Sequence, residues 1–280
     1  FNTMATITAS EVNKLRQQTG SGMMDCKKAL VEANGDFDAA VDILRKKGQK
    51  VAAKRGDRDA AEGLTIAKAS EDGSNGVVVM VNCETDFVAK NDDFNIFVET
   101  ITTAALDSKP ASIEELKKLS YSGNGMTIGE KITEQIGKIG EKIEISVYNT
   151  IEAGKVVAYN HPGNQIASLV GLSKNGDFSE AGRDVAMQVA AMAPIALDQE
   201  SVDQAIIDKE IEIGKDQAIA EGKPADLAEK ISKGRLNKFF KENTLVNQAF
   251  IKDNKKSVSQ YLKDIDSDLA VTDFKRAALV

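Results

Sequence analysis

Few residues in this chain have types and spacings that could do chemistry. Glu84, Asp86, Asp92 and Asp93 fall within ten positions, and carboxylates at that density could suggest a Mg2+ site. Asp92 and Asp93, however, lie where a helix N-cap belongs, and a carboxylate near a helix N-terminus is favourable without any metal. Cys26 and Cys83 have no second Cys or His at ligand spacing, which argues against zinc, so no metal site is expected. The single histidine, His161, stands in Tyr159-Asn160-His161-Pro162-Gly163. Any Ser/His/Asp or Cys/His arrangement has to run through it, yet no nucleophile-elbow pattern partners it. It reads as a structural or contact residue of a turn. Gly20-Ser21-Gly22 is the nearest approach to a phosphate cradle. It lacks a preceding strand and a terminal Gly-Lys-Ser/Thr, so it reads as an interhelical turn. What remains is Thr85-Asp86-Phe87-Val88, an aromatic beside an acid on a connection that would normally be polar. Such a Phe is buried either by its own core or by a partner's, and both readings stay open. The chemistry points away from an enzyme and calls for no cofactor.

The flanking elements position that connection. Val77 to Val81 is a β-branched apolar run that predicts a buried strand. From Asp93 to Ala105, the residues Phe94, Phe97, Val98, Ile101, Thr102 and Ala105 recur at three- and four-residue spacings, one face of an amphipathic helix.

The 280 residues suffice for two modest domains or one elaborated one, and 42% apolar with 28% charged residues is ordinary globular composition. No apolar run approaches the roughly 18 residues that span a bilayer, so no membrane is expected. Phe1 to Thr3 carry no signal-peptide pattern and read as foreign to a natural start at Met4. Two distant cysteines without a secretion signal predict reduced thiols and a cytoplasmic setting. A net charge of −7 speaks against direct nucleic-acid binding. Met4 to Arg58 nevertheless holds 11 Lys/Arg against 7 Asp/Glu, about +4, leaving about −11 for the rest. A basic head on an acidic body suits an acidic partner or simply a solvated surface.

Thr8-Ala9-Ser10-Glu11 has the form of a capping box opening a first helix that stops at Thr19-Gly20. A second helix restarts at Ser21 and stops at Asn34-Gly35. Asp36 caps a third, with Phe37, Ala40, Val41 and Leu44, which Gly48 is expected to end. Met23 and Met24 diverge by about 100° on a helix, so one of them is expected to be exposed, soft enough for a partner surface. Gln49 to Gly63 reads as a linker. Leu64 to Val81 is a hairpin around Glu71 to Gly76, followed by the amphipathic helix, a short helix near Ile113 to Leu119, a Gly-rich turn, a helix from Ile128 to Gly140, and a strand over Ile143 to Val147. The pattern then recurs: strands Lys155 to Tyr159 and Ile166 to Leu172, an Asp177-Phe178 pair, and a helix from Glu180 to Met192. Ser201 to Ala220 and Ala225 to Glu242 predict an antiparallel helical hairpin roughly 30 Å long. Ile206, Ile213 and Ile219 are expected to face Leu227, Ile231 and Leu236, with Phe239, Phe240 and Phe250 fixing the base. A helix near Val258 to Leu262 and a strand from Ala270 to Val280 complete the chain. The fold class is α+β: a three-helix domain over 4–56, a first antiparallel-sheet/helix core subdomain over 57–148, a second over 149–200 and 243–280, and a projecting hairpin over 201–242.

From Met4 onward the chain resembles bacterial translation elongation factor Ts. Two stretches carry the resemblance: Thr19-Gly20-Ser21-Gly22-Met23-Met24-Asp25-Cys26-Lys27-Lys28-Ala29-Leu30 and Val81-Asn82-Cys83-Glu84-Thr85-Asp86-Phe87-Val88-Ala89-Lys90. The resemblance implies a guanine-nucleotide exchange factor that binds elongation factor Tu in its GDP form and promotes GDP release. It implies a ubiquitin-associated-like N-terminal domain that docks on the GTPase through Arg16, Met23 and Met24. The Thr85-Asp86-Phe87-Val88 segment would intrude beside the partner's Mg2+ site, with Phe87 as a wedge and Asp86 helping displace the ion. His161, Pro162 and Gly163 would be partner contacts, and the hairpin a coiled-coil arm able to support a homodimer or a 2:2 complex. Several members carry a further C-terminal helical module, whereas this sequence reaches Val280 directly after its last strand; whether the module is absent or removed stays open, and no contact is assigned to it. Two rival classes stand beside this reading. One is a non-catalytic adaptor with a ubiquitin-associated-like head, for which the intact loop has no use. The other is a Mg2+-dependent enzyme using Glu84, Asp86 and Asp92.

Overall fold

The computed structural model describes residues 7–122 and 125–279. Phe1 to Thr6 (among them the expected start at Met4), Gly123 and Asn124 of the Gly-rich turn, and Val280 lie outside the described residues. The chain is mixed helix and sheet and divides into two compact units: Phe1–Thr65, Val79–Tyr148 and Leu279–Val280 in the first, Ile66–Val78 and Asn149–Ala278 in the second.

In the first unit, α1 (Ala9–Thr19), α2 (Met23–Glu32) and α3 (Phe37–Arg55) open the chain. Thr8 and Glu11 form the expected capping box, and Asp36 caps α3 by accepting from the Ala39 N–H. Gly22, without a side chain, occupies the α2 cap position in place of Ser21. Val12, Leu15, Cys26, Ala29, Leu30 and Ala40 form the core of this head. That core begins at Cys26 on α2, so Met23 and Met24 are both exposed, not one of them. Gly48 does not end α3, which continues to Arg55. It marks a helix crossing: a Cβ on Gly137 would lie 2.7 Å from the Gly48 Cα. Its missing side chain permits close approach there, so the expected linker shrinks to the residues after Arg55.

Strands β1 (Glu62–Ala69) and β2 (Asn75–Cys83) lead to a one-turn helix α4 (Asp86–Ala89), then α5 (Asp92–Ser108), α6 (Ile113–Lys118), α7 (Ile128–Ile139) and β3 (Ile143–Glu152). The three strands form a sheet in the order β1-β2-β3, and the boundary between units falls inside each strand. Val77 to Val81 is buried at every position, the mark of a strand covered on both faces. Phe94, Phe97, Val98, Ile101, Thr102 and Ala105 are the buried face of α5, as their spacing requires. Asn91, not Asp92 or Asp93, caps α5, its side chain accepting from the Asp93 N–H at 2.8 Å. The two acids occupy the first turn, where the helix dipole favours them.

In the second unit, β4 (Lys155–Asn160), β5 (Ile166–Leu172), α8 (Ser179–Met192), α9 (Gln204–Ala220), α10 (Ala225–Asn243), β6 (Ala249–Phe250), β7 (Asp253–Ser257), α11 (Val258–Ile265) and β8 (Val271–Ala278) follow in order. The antiparallel sheet runs β4-β5-β8, with Val156 opposite Gly171 and Leu169 opposite Lys275. Helix α8 packs its Ala181, Val185, Ala186 and Val189 into a core with Val170, Leu172, Leu245 and Leu262. Phe250 belongs to this core, stacked on Tyr261 with centroids 4.0 Å apart. It does not fix the hairpin base. Phe240 does, with Phe239 packed beside it and Ala196, Val202 and Leu236 around them.

The hairpin of α9 and α10 differs from expectation in its seam. Gly214, Ala218, Ala228 and Ser232 are the buried residues between the helices, while Ile206, Ile213, Ile219 and Leu227 are exposed. A Cβ on Gly214 would lie 3.1 Å from the Ser232 Cβ. Small residues bring the two backbones close and leave no room for large ones, so the isoleucines point outward.

Candidate functional site

The connection after β2 is built from its backbone outward. Cys83 ends the strand fully buried, its Sγ donating to the Thr85 carbonyl at 3.2 Å. Burial is the main reason that its pKa is pushed up to about 12, which makes it an inert structural thiol. The Glu84 and Thr85 N–H groups both donate to Glu141 Oε2, at 3.1 and 3.0 Å, and the Thr85 hydroxyl donates to Glu141 Oε1 at 2.7 Å. Glu84 in turn accepts from Arg55 Nη1 at 3.0 Å and from the Lys142 N–H at 2.6 Å. Both acids that flank the connection are thereby spent on the fold, which accounts for Glu84 without a metal.

Thr85 occupies the N-cap position of α4, but its side chain makes no cap bond there. On the turn itself, Asp86 accepts from Lys90 Nζ at 2.6 Å. That hydrogen bond, reinforced by the lysine's charge, holds the Asp86 carboxyl below the usual carboxylate range and Lys90 above the usual lysine value. The pair is exposed, and Asp86 remains anionic at neutral pH. Phe87 is 84% exposed. Of the two readings its neighbours left open, burial in its own core is removed: the ring touches water on nearly every side.

Arg16 lies exposed near the end of α1, and Met23 (55% exposed) and Met24 (63%) form the first turn of α2. All three, with Thr85 to Val88, belong to the first unit. His161, Pro162 and Gly163 belong to the second, where they form an exposed turn after β4. The His161 N–H donates to the Ile166 carbonyl at 2.9 Å, and Gly163 takes the left-handed φ of +90° that the turn needs. The Tyr159 hydroxyl lies 3.0 Å from His161 Nδ1. Asn160 holds the base of the turn in place. Its Oδ1 accepts from the Ala67 N–H at 2.8 Å and its Nδ2 donates to the Ala67 carbonyl at 3.0 Å, as a neighbouring strand would. Among the described residues, no three His, Cys, Asp or Glu side chains are gathered to hold a metal ion, and no helix is long and apolar enough to cross a membrane.

Sequence reasoning did not find Glu141, Arg55, Lys90 or Asn160. Only the Lys90 pairing left a local signal, the i,i+4 spacing from Asp86. Glu141 lies 57 positions from Glu84, and no short-range pattern announces a contact at that separation.

Comparison with known proteins agrees with the resemblance. The family model described as Elongation factor TS matches residues 84–279. An elongation factor Ts of Christiangramia forsetii is 57% identical over 277 residues, covering 99% of this chain and 100% of that protein. One from Flavobacterium psychrophilum is 54% identical with the same coverage, and one from Amoebophilus asiaticus is 53% identical over 96% of this chain and 98% of its own length.

Proposed function

The chain belongs to the elongation factor Ts family, whose members are translation elongation factors, and from that premise we propose that it acts as a guanine-nucleotide exchange factor for elongation factor Tu. It binds the GDP form of the GTPase, disturbs its Mg2+ and phosphate site, and promotes GDP release, breaking no covalent bond. The observation that carries the reading is the bare Phe87 on a turn whose leading backbone is held by Glu141. An exposed aromatic on a rigid support is a ligand for someone else's core.

The energetics are consistent. GDP is held because Mg2+ and phosphate-loop amides neutralise its phosphates. A factor that binds the nucleotide-free state more tightly must weaken nucleotide affinity by the same ratio. Burying the Phe87 ring in the partner supplies about 2–3 kcal/mol of that preference, and an anionic Asp86 beside the metal's ligands supplies more. In this reading Arg16, Met23 and Met24 dock the three-helix domain (4–56), Thr85 to Val88 of the first core subdomain (57–148) displace the ion, and His161, Pro162 and Gly163 of the second (149–200 and 243–280) add contacts. The exposed isoleucines of the hairpin (201–242) offer a face for a homodimer or 2:2 complex, and the setting is the cytoplasm.

Stopped-flow release of a fluorescent GDP analogue from elongation factor Tu tests the proposal. The full chain should accelerate release, and Phe87→Ala should slow the accelerated rate by about 30-fold or more, the equivalent of 2 kcal/mol. No acceleration by the wild-type chain would sink the reading.

A further inference from the structure

Phe87 has no packing of its own to aim it, and the turn that carries it is a single helical turn whose cap hydroxyl is turned elsewhere. One turn by itself does not hold its shape in water; behind the ring it is anchored by buried Ala89 and the Asn91 cap of α5, so the remaining freedom is set by what fixes the backbone just before it. That is one carboxylate. Glu141 takes three donors from two consecutive residues, the N–H groups of Glu84 and Thr85 and the Thr85 hydroxyl. The bonding is reciprocal: the Glu84 N–H donates to Glu141, while the Lys142 N–H, next to Glu141, donates to Glu84. Glu84 is also held by Arg55, the last residue of α3. Two chain segments are thereby clasped through backbone and carboxylate, with the last turn of the head helix tied to the same point.

We propose that Glu141 is the positioning residue of the exchange turn, its carboxylate fixing the Glu84 and Thr85 backbone so that Asp86 and Phe87 are presented in their bound arrangement before any partner arrives. The role rests on the exchange reading above. Its physical content is preorganisation: a turn already ordered loses little freedom on wedging, whereas a loose one loses affinity for the state in which it acts.

The test separates reach from charge. In Glu141→Gln the carbonyl oxygen can still accept both N–H groups, and the side-chain amide can donate to the Thr85 hydroxyl. Glu141→Asp keeps the charge but withdraws the carboxylate by one methylene. With the full chain and the same GDP-release assay, Glu141→Gln should keep at least about a third of the saturating rate, while Glu141→Asp should lose about 10-fold. The concentration for half-saturation should move less than about 3-fold in both, because the docking residues are untouched. In a Phe87→Ala background, Glu141→Asp should cost less than about 2-fold more, since the aimed ring is gone. Amide exchange at Glu84 and Thr85 should accelerate in Glu141→Asp, with the remaining protection unchanged.

Several results would overturn the role: Glu141→Asp equal to wild type, Glu141→Gln impaired more than Glu141→Asp, losses that add to those of Phe87→Ala, or a loss accompanied by global unfolding in circular dichroism. A wild-type chain that accelerates nothing would instead remove the exchange reading itself, and the wild-type trace alone reports that.

Discussion

At the scale of the residue, the site is defined by contrast between one side chain the fold ignores and several it has fixed. Because Phe87 is 84% exposed, Phe87→Ala should shift unfolding stability by less than about 0.5 kcal/mol while slowing exchange. Chemical denaturation with circular dichroism detection checks the first half, and an unfolded variant would return the ring to the core. The cysteines make the opposite case. Cys26 and Cys83 are free and buried, and burial is the main cause of their raised pKa values. A thiol reagent at pH 8 should therefore find almost no fast-reacting group in the native protein and two after denaturation. The unfolded Cys83 thiol ionises near its ordinary 9.0 while the folded one stays protonated to about 12. Stability contributed by this group is thus intact below pH 9 and declines as pH rises from 9 toward 12. Denaturation midpoints measured across that window should fall, and less so in Cys83→Ala.

Glycines set the close approaches at the scale of the element, and the sequence does not say which ones. A Cβ at Gly137 would press on the Gly48 backbone at the crossing of α7 and α3, so Gly137→Ala should destabilise by about 1–2 kcal/mol, overpacking outweighing alanine's helix preference. Gly234, in α10, has open space where a Cβ would go, so Gly234→Ala should stabilise by about 0.5–1 kcal/mol. Thermal melts of the two variants should move in opposite directions. The same pair shows what was legible. Periodicity located α5, α7, α8 and both hairpin helices, because apolar spacing is a local property of the chain. It could not tell that Gly48 is a crossing and not a stop, or that Gly214, Ala218, Ala228 and Ser232 form the hairpin seam in place of the isoleucines. Both depend on a partner helix. The two-residue β6 and the polar β7, Asp253-Asn254-Lys255-Lys256-Ser257, carry no apolar alternation and went unread. At the site, Thr85 to Val88 stood out by composition, whereas Glu141 and Asn160 act through contacts 57 and 93 positions away and left no local trace.

Exposed large apolar side chains recur over the whole molecule, and two groups of them bear on the proposed function. Ile206, Ile213, Ile219 and Leu227 lie on the hairpin, and Met23, Met24 and Phe87 in the first unit. If the hairpin supports self-association, sedimentation equilibrium of the full chain should show a mass that rises with concentration, and Ile213→Lys with Ile219→Lys should return it to that of one chain. A single-chain mass at every concentration would refute the arm as a dimer surface. A bare aromatic also has to coexist with every other protein in solution, and its setting suits that. Phe87 sits alone on one helical turn between Asp86 and Lys90, both charged. Those flanking charges act as gatekeepers against adhesion. In the proposed role, the turn that presents the ring to a partner therefore also guards it against seeding aggregation.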